Sequence, residues 1–308
     1  MSFLSPLGMP WYARLFARLP AALSPGGRSS STASSRLGGL LSRPSASSGT
    51  PGKVYIVGAG PGDAELLTVK AVRLLQSADV VLFDWLVDKS VLALIPRHVK
   101  QEFVGKRCGR HSATQNEICQ RLVALASAGK TIVRLKGGDP AVFARTCEET
   151  TALYRANIPF AIVPGITAAS GASAYTGIPL TDRRCAQSVR LMTAHLQDPD
   201  ASPDYRAMAN NLASETVVMY MGLKRLPIIT QQLQAQGVAT GLPVAVIENA
   251  CCHNQQVIIG TLATIADLVA ARTLKGPALL MFGEVVNYRQ HVTPALLEAA
   301  QPLATLSL

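Results

Sequence analysis

Acidic residues are missing from the first 52 positions, aromatic residues make up only 5% of the chain, and no cysteines stand in a Cys-x-x-Cys pair. Each absence excludes something. Six cysteines in 308 residues, two of them adjacent (Cys251 and Cys252), are too few and too irregular for a disulfide scaffold. Without a Cys-x-x-Cys pair there is no zinc-ribbon or dithiol signature, and the pattern suits a reducing compartment. No apolar run approaches the ~18 residues that a membrane-spanning helix needs. The net charge of +10 would invite a nucleic-acid reading, but no Arg/Lys run with interleaved aromatics accompanies it. What the chain has is apolar residues, 48% against 16% charged. That is ample for a folded core.

Half of the net positive charge sits in a leader. Arg14, Arg18, Arg28, Arg36 and Arg43 precede Lys53, leaving +5 on the remaining 256 residues. Residues 1–52 are serine-rich from Ser24 to Ser48 and carry no core-forming pattern. Near their start, Trp11, Leu15 and Leu19 share a helical face, with Arg14 and Arg18 outside it. Such an acid-free, arginine-rich amphipathic segment reads equally as an organellar transit peptide or as an extension without function, or a start codon placed too early. The expected location is cytoplasmic, or an organelle matrix if the leader is a transit peptide.

From Lys53 onward the rhythm is α/β. Apolar runs at Val54–Val57, Val80–Phe83, Thr131–Leu135 and Phe160–Val163 predict strands. A helix capped by Thr68 and another from Gln115 to about Ala128 lie between them. Alternation of this kind predicts a mostly parallel sheet with helices on both faces. Further strands are predicted at Val189–Thr193, Thr216–Tyr220, Val244–Ile247, Gln256–Ile259 and Ala278–Phe282. The short spacing around 244–262 predicts an antiparallel pair in a mixed sheet. The expected organisation is a leader (1–52) and two α/β domains (53–168 and 169–308) with a ligand cleft between them.

Three glycine-rich segments follow predicted strands: Gly58-Ala59-Gly60-Pro61-Gly62-Asp63, Lys136-Gly137-Gly138-Asp139-Pro140 and Pro164-Gly165-Ile166-Thr167. The first is not a dinucleotide fingerprint, because Asp63 replaces the third glycine and Pro61 removes a donor from the turn. Three such loops on one edge of a parallel sheet nevertheless mark a ligand edge.

Together with Phe83-Asp84-Trp85-Leu86-Val87, Val104-Gly105-Lys106-Arg107-Cys108-Gly109-Arg110-His111, Arg134-Leu135-Lys136 and Tyr220-Met221-Gly222-Leu223, these segments resemble the tetrapyrrole methylase family over about Val54–Val286. Within that family the Asp84, Lys106 and Thr167 segments are similar to the members that act on uroporphyrinogen III. The resemblance implies S-adenosylmethionine as methyl donor, no metal, and a homodimer. It implies donor contacts at Pro61, Gly137, Gly138, Asp139, Val142, Thr167, Ala168, Met221 and Ala250. It also implies a base and proton donor at Asp84 and Lys106.

Arg107, Arg110, His111, Arg134 and Arg145 are the expected partners of a polycarboxylate substrate, since guanidinium groups grip carboxylates bidentately. Arg145 has a competing reading, as an ion pair with Glu148 or Glu149 along a helix. The chain departs from the family pattern at Trp85, where arginine is frequent, and at Ala144, Thr146 and Cys147, where glycine is common. The alternatives are another methylase of the same fold or a non-catalytic basic protein binding a ligand or RNA.

Overall fold

A computed structural model of the chain describes residues 52–105, 113–198 and 201–290, with 292, 293 and 296. Residues 1–51 and the segment from Lys106 to Ser112 lie outside the described residues. The first half alternates strictly: β1 (Lys53–Gly58), α1 (Val69–Ser77), β2 (Val80–Phe83), α2 (Lys89–Ala93), β3 (Lys100–Phe103), α3 (Gln115–Ser127), β4 (Thr131–Lys136), α4 (Thr146–Arg155) and β5 (Phe160–Val163). All five strands are parallel, in the order β3-β2-β4-β1-β5. The predicted apolar runs are the strands. The exception is β3, whose sequence Lys-Gln-Glu-Phe lies on the sheet edge and shows no apolar pattern.

The helices start where their caps predict. Thr68 accepts from Ala71 N at 3.1 Å, and Thr114 forms a reciprocal capping box with Glu117. Alternation along the strands then serves both faces of the sheet. Val57, Val81, Val133 and Leu135 pack on α1 and α2, while Ile56, Leu82 and Ile132 meet Leu122 of α3 and Leu153 of α4.

The second half contains α5 (Ala168–Thr176), β6 (Ser188–Thr193), α6 (Tyr205–Asn211), β7 (Glu215–Tyr220), α7 (Leu226–Ala235), β8 (Pro243–Glu248), β9 (Gln256–Thr261), α8 (Ile265–Ala270) and β10 (Ala278–Phe282). Its sheet runs β6-β7-β10-β8-β9 and is mixed as predicted, with β6–β7 parallel and the other pairings antiparallel. One face packs on α6, α7 and α8 through Met208, Leu226, Ile229 and Ile265. The other buries Ala169 and Ala172 of α5 against Val218, Ile247 and Met281. No helix among the described residues is long and apolar enough to cross a membrane.

The loop that leads from β4 into α4 shows how the departures from the family pattern are accommodated. Positive φ occurs at Phe143 (50°) and Arg145 (56°), and Ala144, Thr146 and Cys147 are not among the positive-φ residues. The positions where glycine is missing therefore do not need glycine. Thr146 is buried, and its hydroxyl donates to Pro140 O at 2.5 Å, closing the loop. Thr146→Gly should lose that bond and add backbone entropy to the unfolded chain, together about 1–2 kcal/mol. A melting curve should fall by about 3–6 °C, with Thr146→Ser close to the parent. An unchanged melting temperature for the glycine variant would contradict this account of the loop.

Candidate functional site

The three glycine loops emerge side by side at the carboxyl ends of β1, β4 and β5, because β1 lies between the other two. There the backbones touch. A Cβ at Gly58 would stand 2.6 Å from Gly165 N and 2.7 Å from Gly138 O, so no side chain fits. Gly138 N donates to Gly60 O at 2.7 Å, and Gly60 N donates back to Gly138 O at 3.2 Å. Asp139 ties the third loop in, its Oδ2 accepting from Gly165 N at 2.9 Å while Oδ1 accepts from Ala141 N at 2.7 Å. Val142 N donates to Asp139 O at 3.1 Å. Asp139 is thus engaged with backbone amides, although each carboxylate oxygen keeps further acceptor capacity.

Gly138 has φ +70°, and a Cβ there would meet nothing nearer than Ala168 N at 3.9 Å. Its neighbour Gly137 is different, since a Cβ would run into Leu86 Cβ at 2.5 Å. One glycine therefore permits close packing and the other opens space.

From the second sheet, Tyr220 at the end of β7 organises the start of α5. Its phenol oxygen lies 2.7 Å from Thr167 Oγ1 and accepts from Ala169 N at 3.0 Å. Thr167, the N-cap, makes no side-chain cap bond to its own helix. Burial pushes the Tyr220 phenol up, and its ring lies 5.0 Å from that of Phe143. Met221 follows with φ +56° and is 51% exposed. It lines a concavity of about 370 Å³ with His195, Leu223, Lys224 and Pro277.

Pro61 sits against Gly171 of α5, and Gly62 against Cys252 and the Ala250 carbonyl. Burial pushes the neighbouring Cys251 thiol up to about 12, which keeps it protonated at neutral pH. Tyr175 of α5 donates to Asp63 Oδ2. The structure thus brings Pro61, Gly138, Asp139, Thr167, Ala168 and Ala250 together around the loop edge, with Met221 beside Tyr220. A second concavity of about 460 Å³, lined by Gln115, Cys119, Cys147, Thr151 and Arg155, includes none of the expected site residues.

Asp84 directly follows β2 on the same edge. Its Oδ1 accepts from Leu86 N at 3.2 Å, and its Oδ2 pairs with Arg134 Nη2 at 3.2 Å. Trp85 beside it is 55% exposed. Arg134 is not displayed to solvent, as gripping a substrate carboxylate would require. It is 3% exposed, and its guanidinium donates to Asp84, to Glu149 Oε1 (3.2 Å) and to Leu135 O (2.9 Å). Lys136 Nζ and Gln115 Nε2 also donate to Glu149 Oε1, at 2.8 and 3.2 Å. Burial, and next the Arg134 charge, lower the Lys136 pKa below the usual lysine value.

The sequence reading missed this cluster. The available signal was Arg134 and Lys136 two residues apart on one face of a strand buried on both faces, which demands a buried anion. Arg145 is exposed and closed bidentately on Glu148, both bonds at 2.8 Å, which is the competing pairing. Lys106, Arg107, Arg110 and His111 lie outside the described residues.

A family model for tetrapyrrole (corrin/porphyrin) methylases matches residues 53–266. Siroheme synthase from Pseudomonas fluorescens (strain Pf0-1) is 49% identical over 252 residues, covering 82% of this chain and 53% of that protein. Siroheme synthase from Acinetobacter baylyi is 48% identical over 241 residues, covering 78% and 52%. The chain spans about half the length of these curated relatives. Among solved structures, uroporphyrin-III C-methyl transferase from Thermus thermophilus complexed with S-adenyl homocysteine is 39% identical, with a TM-score of 0.66. The match covers 77% of this chain and 99% of that one. A cobalt precorrin-4 methyltransferase is 27% identical with a TM-score of 0.68, covering 80% and 99%.

Proposed function

Because the chain belongs to the tetrapyrrole methylase family, we propose that it transfers methyl groups from S-adenosylmethionine to two pyrrole carbons of uroporphyrinogen III, giving precorrin-2. The observation that carries the reading is the meeting of three glycine loops beside the start of α5, with open space at Gly138. It is supported by the 39% identity to a uroporphyrin-III C-methyl transferase that was solved with S-adenyl homocysteine. When bound, S-adenosylmethionine supplies a methyl group on a positively charged sulfur, which leaves as the neutral thioether of S-adenosylhomocysteine.

The chain's own residues bind and orient. Pro61, Gly137, Gly138, Asp139, Val142, Thr167, Ala168, Met221 and Ala250 form the donor site in this reading. Holding donor and pyrrole in line supplies much of the acceleration. Each pyrrole carbon forms a bond to an incoming methyl group, and the tetrapyrrole then gives up a proton. Asp84 accepts that proton in this reading, and Lys106 manages protons on the same macrocycle. The substrate's acetate and propionate arms fall to Arg107, Arg110, His111 and Arg145. Arg145 would have to exchange Glu148 for a substrate carboxylate, whereas Arg134 is already committed within the protein.

We place the activity in the cytoplasm, or in an organelle matrix where the leader serves as a transit peptide. We also assign a homodimer, on the ground that edge strand β5 leaves Phe160 and Ile162 exposed. A sedimentation run showing monomers at micromolar concentration would contradict it.

Purified protein supplied with S-adenosylmethionine and uroporphyrinogen III should release S-adenosylhomocysteine and form precorrin-2. Turnover of a different tetrapyrrole in preference would favour another methylase of this fold. In parallel, Gly138→Leu should weaken S-adenosylmethionine binding about tenfold or more. The side chain would fill the open space, and leucine at φ +70° is strained. Titration calorimetry on the folded variant checks this, and unchanged affinity would remove the loop from the site.

A further inference from the structure

Resting on the reading that Asp84 acts on the tetrapyrrole, we propose that Glu149 is a positioning residue that fixes the Asp84 carboxylate through Arg134. Glu149 is fully buried on the first turn of α4, fifteen residues from Arg134 in sequence. Its Oε1 takes three donors, from Gln115, Arg134 and Lys136, while its buried Oε2 has no hydrogen-bond partner among the described residues. A cluster like this is a poor device for stability. Burying ions costs several kcal/mol each, and apolar replacements of similar volume are often neutral or stabilising. An orphaned carboxylate oxygen adds to the cost. The arrangement therefore calls for another role.

Its geometry supplies one. Arg134 is held on three sides, by Glu149 at Nε, Leu135 O at Nη1 and Asp84 at Nη2. A planar guanidinium fixed at Nε and Nη1 cannot swing, so Nη2 presents one direction to Asp84. With Oδ1 taken by Leu86 N, the Asp84 carboxylate is fixed in both position and plane. Lys136 balances the set at two cations and two carboxylates, so Arg134 keeps charge for both of its partners. Asp84 is the most accessible member, its side chain 24% exposed against 4% or less for Arg134, Lys136 and Glu149. Of the four charged groups, Asp84 is thus the one that opens outward.

A double-mutant cycle on the full chain tests this. Glu149→Gln keeps the shape and removes the charge that anchors Arg134. It should lower kcat about tenfold or more, as misplacement of a catalytic group does, with KM for S-adenosylmethionine within about twofold. In an Asp84→Asn background the same change should cost less than about twofold further, because its effect runs through Asp84. Equal losses in both backgrounds would mark the cluster as merely structural and overturn the proposal. So would a folded Glu149→Gln protein with kcat within twofold of the parent while Asp84→Asn is impaired. If Asp84→Asn itself keeps near-parental kcat, the underlying reading of Asp84 fails instead. Should Glu149→Gln not fold, Glu149→Gln with Lys136→Met removes the pair together and leaves no unbalanced charge. The same thresholds then apply to that variant.

Discussion

Three peptide backbones touch where β1, β4 and β5 end, and this contact can be made only by glycine. A side chain at Gly58 would collide with Gly165 and Gly138 at once. The strand order causes the meeting, since β1 is flanked by β4 and β5 and all three run the same way. The rest of the loop edge depends on that contact. Gly60 and Gly138 exchange backbone hydrogen bonds, Asp139 reaches across to Gly165, and the chain then enters α5 through Thr167. Tyr220 secures that entry from the other sheet, binding Thr167 and Ala169 together. The proposed donor site is therefore walled largely by backbone, its shape set by amide hydrogen bonds and by the Asp139 and Tyr220 side chains that pin the loops.

The central strand β4 links this construction to the charged part of the edge. Its alternation sends Val133 and Leu135 to one core and Ile132 to the other, with Arg134 and Lys136 on the Ile132 side. One residue beyond Lys136 the glycine loop begins. The strand that leads into the Gly137–Gly138 loop thus also carries the guanidinium that grips Asp84, and neither feature can shift without the other. Opposite-charge bonds in a dry interior are short of competitors, which suits fixing a carboxylate better than it suits stabilising a fold.

Most of the architecture was legible because burial on both faces writes near-continuous apolar runs, as in Val80–Phe83 and Ala278–Phe282, which are strands to the residue. β3 was not, since an edge strand of Lys-Gln-Glu-Phe buries too little to leave a pattern. Glycine spacing made the loop edge visible, and the family resemblance supplied candidate contacts around it. The ionic cluster was hidden because its hydrogen-bonded partners lie 13 to 50 residues apart, and they meet only through the parallel pairing of β2 with β4 and the packing of α4 on that sheet. Arg134 illustrates the difficulty: its type suggests a carboxylate partner correctly, but its burial decides that the partner is the protein's own. At Ala144, Thr146 and Cys147 the missing glycines looked consequential in sequence, yet the turn takes its positive φ at Phe143 and Arg145 instead.

In the proposed function the glycine-loop edge, and not the concavity between α3 and α4, receives the methyl donor. Hydrogen exchange with and without saturating S-adenosylhomocysteine tests it most directly, because the backbone amides themselves form the wall. Slower exchange should appear in residues 59–62, 137–142 and 165–169 and around Met221 and Ala250, with α3 and the first turns of α4 unchanged. Protection confined to the α3–α4 surface, with the three glycine loops unaffected, would contradict the account.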